Sequence, residues 1–334
     1  MLKKFTEIDG VSGYEKCVRD EITNEIKDFA DKIETDSMGN LIAYKNAKNS
    51  GENTKTIILS AHMDEVGLIV TGITESGMLK FDTVGGIDTS VLLSKQVRCG
   101  ELGGIIGLKP FHHCSSDERE NCPDIDELYI DIGATDKADA MKYVMVGDYF
   151  TFNSGYRQFS ENIIKAKALD DRIGCAVMVE ILKESYDCNL ICMFDVQEET
   201  GTRGAKAAVY GKEADYAIVL ECTTAGDVTN AKPHMTVTEI GKGPAISVMD
   251  SASIADKHLS RMIKDSAERN KIKYQLKRAA TGGNDAGIIH ISNGGIKTCS
   301  ISVPSRYIHS PSSLISTEDF ENMKSLLKAF LNEL

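Results

Sequence analysis

Residues 56–67, Thr-Ile-Ile-Leu-Ser-Ala-His-Met-Asp-Glu-Val-Gly, decide how this chain is read. Ile57, Ile58 and Leu59 run consecutively apolar, as in a strand from Thr56 to Ala61 that is covered on both faces. Such strands belong to parallel or mixed sheets wrapped by helices. Where the apolar run stops, an imidazole (His62) and a carboxylate (Asp64) follow. In open α/β sheets ligands sit beyond the carboxyl ends of the strands, so chemistry is sought at that edge.

Working outward, Val18, Ile22, Ile26 and Phe29 recur at intervals of three and four, which predicts an amphipathic helix over 15–29 with Ser12 as its cap. A short strand is expected at 41–44. From 67 to 159 the texture changes to brief β-rich pieces separated by glycine, at 68–70, 78–81, 96–98, 105–108, 128–132 and 148–152. These predict a small barrel-like β unit, in which the aperiodic stretch 113–126 is a mobile loop. After Asn162 helices and apolar strands alternate again: helices at 173–182, 204–210, 254–270 and 317–331, the last capped by Thr317, and strands at 190–196, 216–220 and 298–303. The fold class expected is α/β, with a discontinuous mixed-sheet domain formed by 1–66 and 160–334 and an inserted β-rich domain at 67–159. A length of 334 residues suits two units, since single cores stop growing at roughly 250–300 residues.

Composition narrows the function classes. A net charge of −12 opposes binding to nucleic acid or anionic lipid. The nine cysteines are odd in number, scattered and never spaced Cys-x-x-Cys, which fits reduced thiols in a cytoplasm. No segment approaches the ~20 apolar residues of a membrane span, and no apolar stretch of signal-peptide length follows Met1.

Ionisable groups recur where apolar strands end: His62 and Asp64, then Glu198 and Glu199, then Glu221. Two residues apart on extended chain, Asp64 shares a side with His62 and can orient its imidazole. Adjacent glutamates point to opposite sides, so one can hold a cation while the other meets a water. Asp170 and Asp171 precede an apolar helix, where one suffices as a cap and the other is free to bridge two cations; non-proline cis peptides occur where such ligand pairs are held under strain. Each pair alone has an ordinary reading as a cap or as surface charge. Their repetition at strand ends favours a metal centre.

Read in order, the motifs resemble the tetrahedral dodecameric aminopeptidases, which include glutamyl and deblocking enzymes. They are Val11-Ser-Gly-Tyr-Glu15, His62-Met-Asp-Glu-Val-Gly67, Gly85-Gly86, Asp131-Ile-Gly-Ala134, Ala168-Leu-Asp-Asp-Arg172, Gln197-Glu-Glu199, Gly282-Gly-Asn-Asp285 and Val303-Pro-Ser-Arg-Tyr-Ile-His-Ser-Pro311. The resemblance spans nearly the whole chain. It implies a zinc-peptidase-like catalytic domain and two divalent ions, Zn or Co with Mn as a third choice. His62 and Glu221 would hold one ion, Glu199 and His309 the other, and Asp170 would bridge them. Many relatives carry Asp where this chain has Glu221. Glu198 would be the general base and then acid, with Asp64 steadying His62. The cation pair, roughly 3.5–4 Å apart, would acidify a water and polarise the scissile carbonyl of an N-terminal peptide bond. The inserted domain would make dimers that assemble into a hollow dodecamer admitting unfolded peptides. His112, His113, His234, His258 and His290 lack a matching carboxylate, and Cys222, though beside Glu221, has no histidine partner that would make it a nucleophile. Two other readings stand beside this one: a metal-dependent hydrolase of another amide or acyl substrate, some relatives carrying a cellulase label, and a non-catalytic assembly protein on the same scaffold.

Overall fold

A computed structural model describes residues 1–277 and 281–334. In chain order its strands are β1 (Lys32–Thr35), β2 (Leu41–Lys45), β3 (Thr56–His62), β4 (Gly67–Ile73), β5 (Leu79–Val84), β6 (Gln96–Cys99), β7 (Leu102–Gly107), β8 (Tyr129–Asp131), β9 (Tyr149–Phe152), β10 (Arg157–Ser160), β11 (Ile163–Ala166), β12 (Asn189–Asp195), β13 (Tyr216–Thr224), β14 (Ala245–Ile246), β15 (Gln275–Leu276), β16 (Lys297–Arg306) and β17 (Ser313–Ser316). β4 to β9 close a barrel in the order β4-β5-β8-β7-β6-β9, and the others form one eleven-stranded mixed sheet. The architecture is therefore α/β with a closed antiparallel barrel between β3 and β10.

Alternation within the strands explains why the sheet is covered on both faces. Ile57, Leu59 and Ala61 pack with the helices Lys16–Ile26, Leu169–Leu182, Lys257–Arg269 and Thr317–Asn332. Ile58, Met193, Ala217 and Val219 face the other way, against the short helices Arg203–Ala208 and Ala286–Ile289. Each fully buried aliphatic side chain contributes roughly 1.5–3 kcal/mol. The barrel has its own core around Leu68, Val70, Leu79, Phe81, Val97, Ile130 and Phe150.

The sheet's centre positions the site. β12, β3, β13 and β16 are neighbours and run parallel, so their carboxyl ends share one edge. Asp195 lies opposite His62, and Val219 opposite Ser60, which brings Glu221 level with His62.

Several expectations are corrected. Glu221 lies inside β13, which runs on to Thr224, and His62 is the last residue of β3. The C-terminal helix is capped by Ser316, whose hydroxyl accepts from Glu318 N and Asp319 N, one residue before the expected Thr317. Ser12 caps no helix: the helix Lys16–Ile26 starts at Glu15 without a side-chain cap, and Ser12 Oγ donates to Asp64 Oδ2 at 2.5 Å. The stretch 113–126 holds the helix Ser116–Glu120 and the short turn Ile125–Glu127 rather than irregular chain throughout.

Candidate metal centre

Five side chains from five separate segments meet at the carboxyl edge of the sheet. His62 Nε2 faces Asp170 Oδ1 at 3.5 Å and Glu221 Oε2 at 3.8 Å. On the far side of Asp170, His309 Nε2 lies 3.4 Å from Oδ2 and 3.2 Å from Glu199 Oε2. Opposite oxygens of one carboxylate thus face two imidazoles, each accompanied by a glutamate. Glu198 Oε2 stands farther off, 4.0 Å from His62 Nε2.

Both imidazoles are aimed from behind. His62 Nδ1 sits 3.1 Å from the Asp64 carbonyl oxygen and 3.3 Å from its carboxylate, while His309 Nδ1 sits 2.9 Å from the carbonyl oxygen of Gly86. With Nδ1–H donating to those oxygens, each Nε2 offers its lone pair to the centre. Asp64 is fully buried and also accepts the backbone N–H of Glu198 at 3.0 Å and of Glu199 at 3.1 Å. One carboxylate therefore fixes the His62 turn and the pair of glutamates together. Asp171 accepts Gly174 N at 3.0 Å and so caps its helix, which leaves Asp170 free to face both imidazoles. The peptide joining these two aspartates is cis. Ala168, Gln197 and His309 all have left-handed backbone, at φ 51°, 54° and 57°. Each such residue costs on the order of 1–3 kcal/mol and persists only where its surroundings over-determine it. Behind Asp64, Glu65 forms a buried pair with Lys167, whose Nζ lies 2.6 Å from Oε1, and accepts Thr151 Oγ1 of β9 at 3.1 Å.

The electrostatics are those of a site built for cations. Burial, reinforced by the neighbouring carboxylates, pushes Glu198 up to about 7 and Glu199 up to about 8, and drives Glu221 well above the usual carboxylate range. Burial alone would lower His309, but Asp170 and Glu199 carry it up to about 9. Asp170 Oδ1 and Glu221 Oε1 are buried without a hydrogen-bond partner, a costly state that a bound dication relieves. Two imidazoles with three carboxylates suit Zn, Co or Mn. Among the described residues, the groups of three whose ligand atoms all lie within 4.8 Å of one another are His62 with Asp170 and Glu199, and Asp170 with Asp171 and Cys222. The other five histidines lie in neither. Cys222 Sγ donates to the Leu169 carbonyl oxygen at 3.4 Å, and burial pushes its thiol far up, which makes it an inert thiol.

The profile of the M42 glutamyl aminopeptidases matches residues 39–326. The chain belongs to that family. Among its relatives, a lysyl aminopeptidase of Pyrococcus furiosus is 31% identical over 344 residues, covering 100% of this chain and 96% of that protein. Among solved structures, an aminopeptidase of the archaeon Desulfurococcus kamchatkensis superposes with a TM-score of 0.94 at 34% identity, over 100% of this chain and 94% of that one. The TET1 peptidase of Pyrococcus horikoshii, described as able to assemble into a tetrahedron or a large octahedral shell, superposes at 0.87 with 35% identity, over 100% and 98%. Membership makes the chain a peptide-bond hydrolase of the metal-dependent aminopeptidase kind. Among the described residues, no helix is long and apolar enough to cross a membrane.

Two buried acidic residues of this M42 chain were given no role by the sequence. Asp195 ends β12 beside His62, is fully buried and accepts Ser60 Oγ at 2.7 Å; the strand-end rule that marked His62 applies to it equally. Asp285 is fully buried with neither carboxylate oxygen hydrogen-bonded, and only its place in the Gly-Gly-Asn-Asp run hinted at a role. The centre opens into two lobes. One, of about 210 Å³, is walled by Glu221, Thr223, Thr224, Lys277, Ser302 and Ile308. The other, about 400 Å³ and more open, is walled by Gly86, Gly201, Thr202, Ala252 and Ile288.

Proposed function

We propose that this chain is a dinuclear aminopeptidase acting on the N-terminal bond of peptides, with His62 and Glu221 holding one divalent ion, Glu199 and His309 the other, and Asp170 shared between them. The observation that carries this reading is the placement of Asp170, one oxygen facing His62 and the other facing His309. Zn or Co, with Mn as a third choice, would supply Lewis acidity, polarising the scissile carbonyl and acidifying a water. Glu198, spent on neither ion, accepts the water's proton and returns it to the departing amine. Asp64 holds His62 and the Glu198–Glu199 backbone in place. Acidic side chains around the centre attract the substrate's free amino group and confine cleavage to the amino end.

We further propose that 1–66 with 160–334 forms the catalytic domain and 67–159 a dimerisation domain, with dimers assembling into a dodecamer. The barrel's exposed Met141, Tyr143, Met145 and Val146 support an interface there. Cytoplasmic residence fits nine cysteines that are all free. The names of relatives differ in the residue released, glutamyl for the family and lysyl for the Pyrococcus enzyme. Metal analysis of the purified protein, with hydrolysis of amino-acid anilides, acylated amino acids and β-glucans under Zn, Co and Mn, tests the reading. Retention of both metal and anilide hydrolysis by Glu199→Ala and His309→Ala refutes the ligand set. Cleavage of acylated amino acids or glucans alone transfers the site to another hydrolase class, and an inert, metal-free protein makes it a scaffold.

A further inference from the structure

We infer that Lys167 and Glu65 are positioning residues: their buried ion pair sets the spacing of the two chain segments that carry His62 and Asp170, and through Thr151 it ties that spacing to the barrel. The inference rests on the reading of His62 and Asp170 as ligands of the cation pair. Their own 3.5 Å contact cannot fix their separation, because both atoms are turned to an ion in the proposed centre.

The fixing comes from behind. Asp170 is bracketed by two cationic side chains, Lys167 three residues before it and Arg172 two after, and both are fully buried. Each crosses to the segment that leaves β3. Arg172 Nε donates to the carbonyl oxygen of Met63, the residue after His62, at 2.8 Å. Lys167 Nζ donates to both oxygens of Glu65, at 2.6 and 2.9 Å. The stretches 62–65 and 167–172 are therefore cross-linked on both sides of Asp170. Ala168, directly after Lys167, is left-handed at φ 51°, a conformation that persists only where its surroundings over-determine it. Between the pair and Asp170, Glu199 and His309 lies a cavity of about 10 Å³, at most one water in size, so a shift of the pair has little slack before it reaches the centre.

A buried ion pair is a poor source of stability, because desolvation offsets its attraction. Its use here is geometric. Besides Lys167, Glu65 accepts the backbone N–H of Gly10 at 3.1 Å and Thr151 Oγ1 of β9 at 3.1 Å. Lys167 also lies 3.4 Å from Asp9 Oδ1, and Asp9 is held by Arg98 of β6, whose Nη2 donates to Oδ1 at 2.6 Å. Two barrel strands thus bear on the pair, one directly and one through Asp9. Neither Glu65 nor Lys167 is among the proposed ligands, so their substitution changes spacing without removing a donor from an ion.

The test uses full-length protein and four readouts: metal affinity by competition with a chelator, visible absorption of the Co-loaded form, kinetics on the best anilide, and the thermal midpoint of the metal-free form. Lys167→Met leaves Glu65 buried and unpaired, so it is expected to lower the metal-free midpoint and to weaken metal binding by about 10- to 100-fold. Glu65→Gln combined with Lys167→Met removes both charges, and its metal-free midpoint is expected to recover. Its metal affinity should stay low, its Co absorption should stay displaced from that of the wild type, and kcat should fall with little change in KM. Affinity and kcat that recover together with the midpoint overturn the inference, because the pair is then a stabilising contact only. Thr151→Val takes one hydrogen bond from the barrel end and leaves both charges paired, so it decides even where the other variants do not fold. Its expected loss of affinity is about 2- to 10-fold, the net worth of one hydrogen bond, and wild-type affinity with wild-type absorption there overturns the inference. Wild-type protein that binds no divalent ion removes the dinuclear reading and this inference with it. Two bound ions whose affinity and absorption no variant alters remove this inference alone.

Discussion

Asp64 touches no substrate and holds no cation in the proposed centre, yet four groups converge on it: His62 Nδ1, Ser12 Oγ and the backbone N–H groups of Glu198 and Glu199. Removing its charge leaves buried donors without a full partner and loosens one ligand from each side of the centre. Asp64→Asn is expected to weaken metal binding by about 10- to 100-fold, read by competition with a chelator. Glu198→Gln should behave in the opposite manner, with metal content unchanged and kcat lowered by about 10²- to 10⁴-fold on the best anilide. Metal loss in the second variant would reassign Glu198 as a ligand. The residues of the centre were legible because each is an ionisable side chain placed where an apolar run ends, or in a motif of matching order. Asp285 stood in the Gly282-Gly-Asn-Asp285 motif, but its burial was not legible, because that depends on the short helix Ala286–Ile289 folding against the sheet, which local sequence does not encode.

At the scale of elements, the long buried strands were readable and the edges were not. β3, β12 and β13 are continuous apolar runs. β1 (Lys-Ile-Glu-Thr) and β10 (Arg-Gln-Phe-Ser) are short and largely exposed, so burial wrote no pattern into them. β17 is known by its neighbours, β11 and the end of β16, and its last residue caps the closing helix. Ser316→Ala is expected to cost about 1 kcal/mol, read as a lower midpoint in chemical denaturation, whereas Thr317→Ala should cost less. β16 carries the His309 loop, and its end is tied by Arg306, which donates from Nε and Nη2 to the two oxygens of Asp227 at 2.8 and 2.7 Å. Burial alone would raise the Asp227 carboxyl, but the guanidinium and the Ile240 N–H hold it below its ordinary 3.8. A carboxyl lower in the folded than in the unfolded chain contributes stability that is complete above the unfolded value and drains away as pH falls through the folded one. The contribution should therefore be flat from neutral pH down to about 4 and decline below it. Asp227→Asn should lose stability at pH 7 and show a shallower acid limb; equal acid limbs in variant and wild type would rule this out.

For the molecule as a whole, the centre concentrates buried carboxylates that repel one another unless a cation stands between them. Metal added to chelated protein is expected to raise its thermal midpoint, with about 2.7 kcal/mol gained at a free metal concentration one hundred times Kd. His309→Ala should blunt that gain. Twelve copies of a 36.5 kDa chain amount to about 440 kDa, so light scattering separates the proposed dodecamer from a dimer. Val146→Glu on the exposed barrel stretch is expected to shift the mass downward; an unaltered mass would place the interface elsewhere. The barrel reaches the centre through Gly86, whose carbonyl oxygen orients His309. That single hydrogen bond means the insertion is no portable cassette. Splicing it out would remove the carbonyl oxygen that moors an imidazole 223 residues downstream.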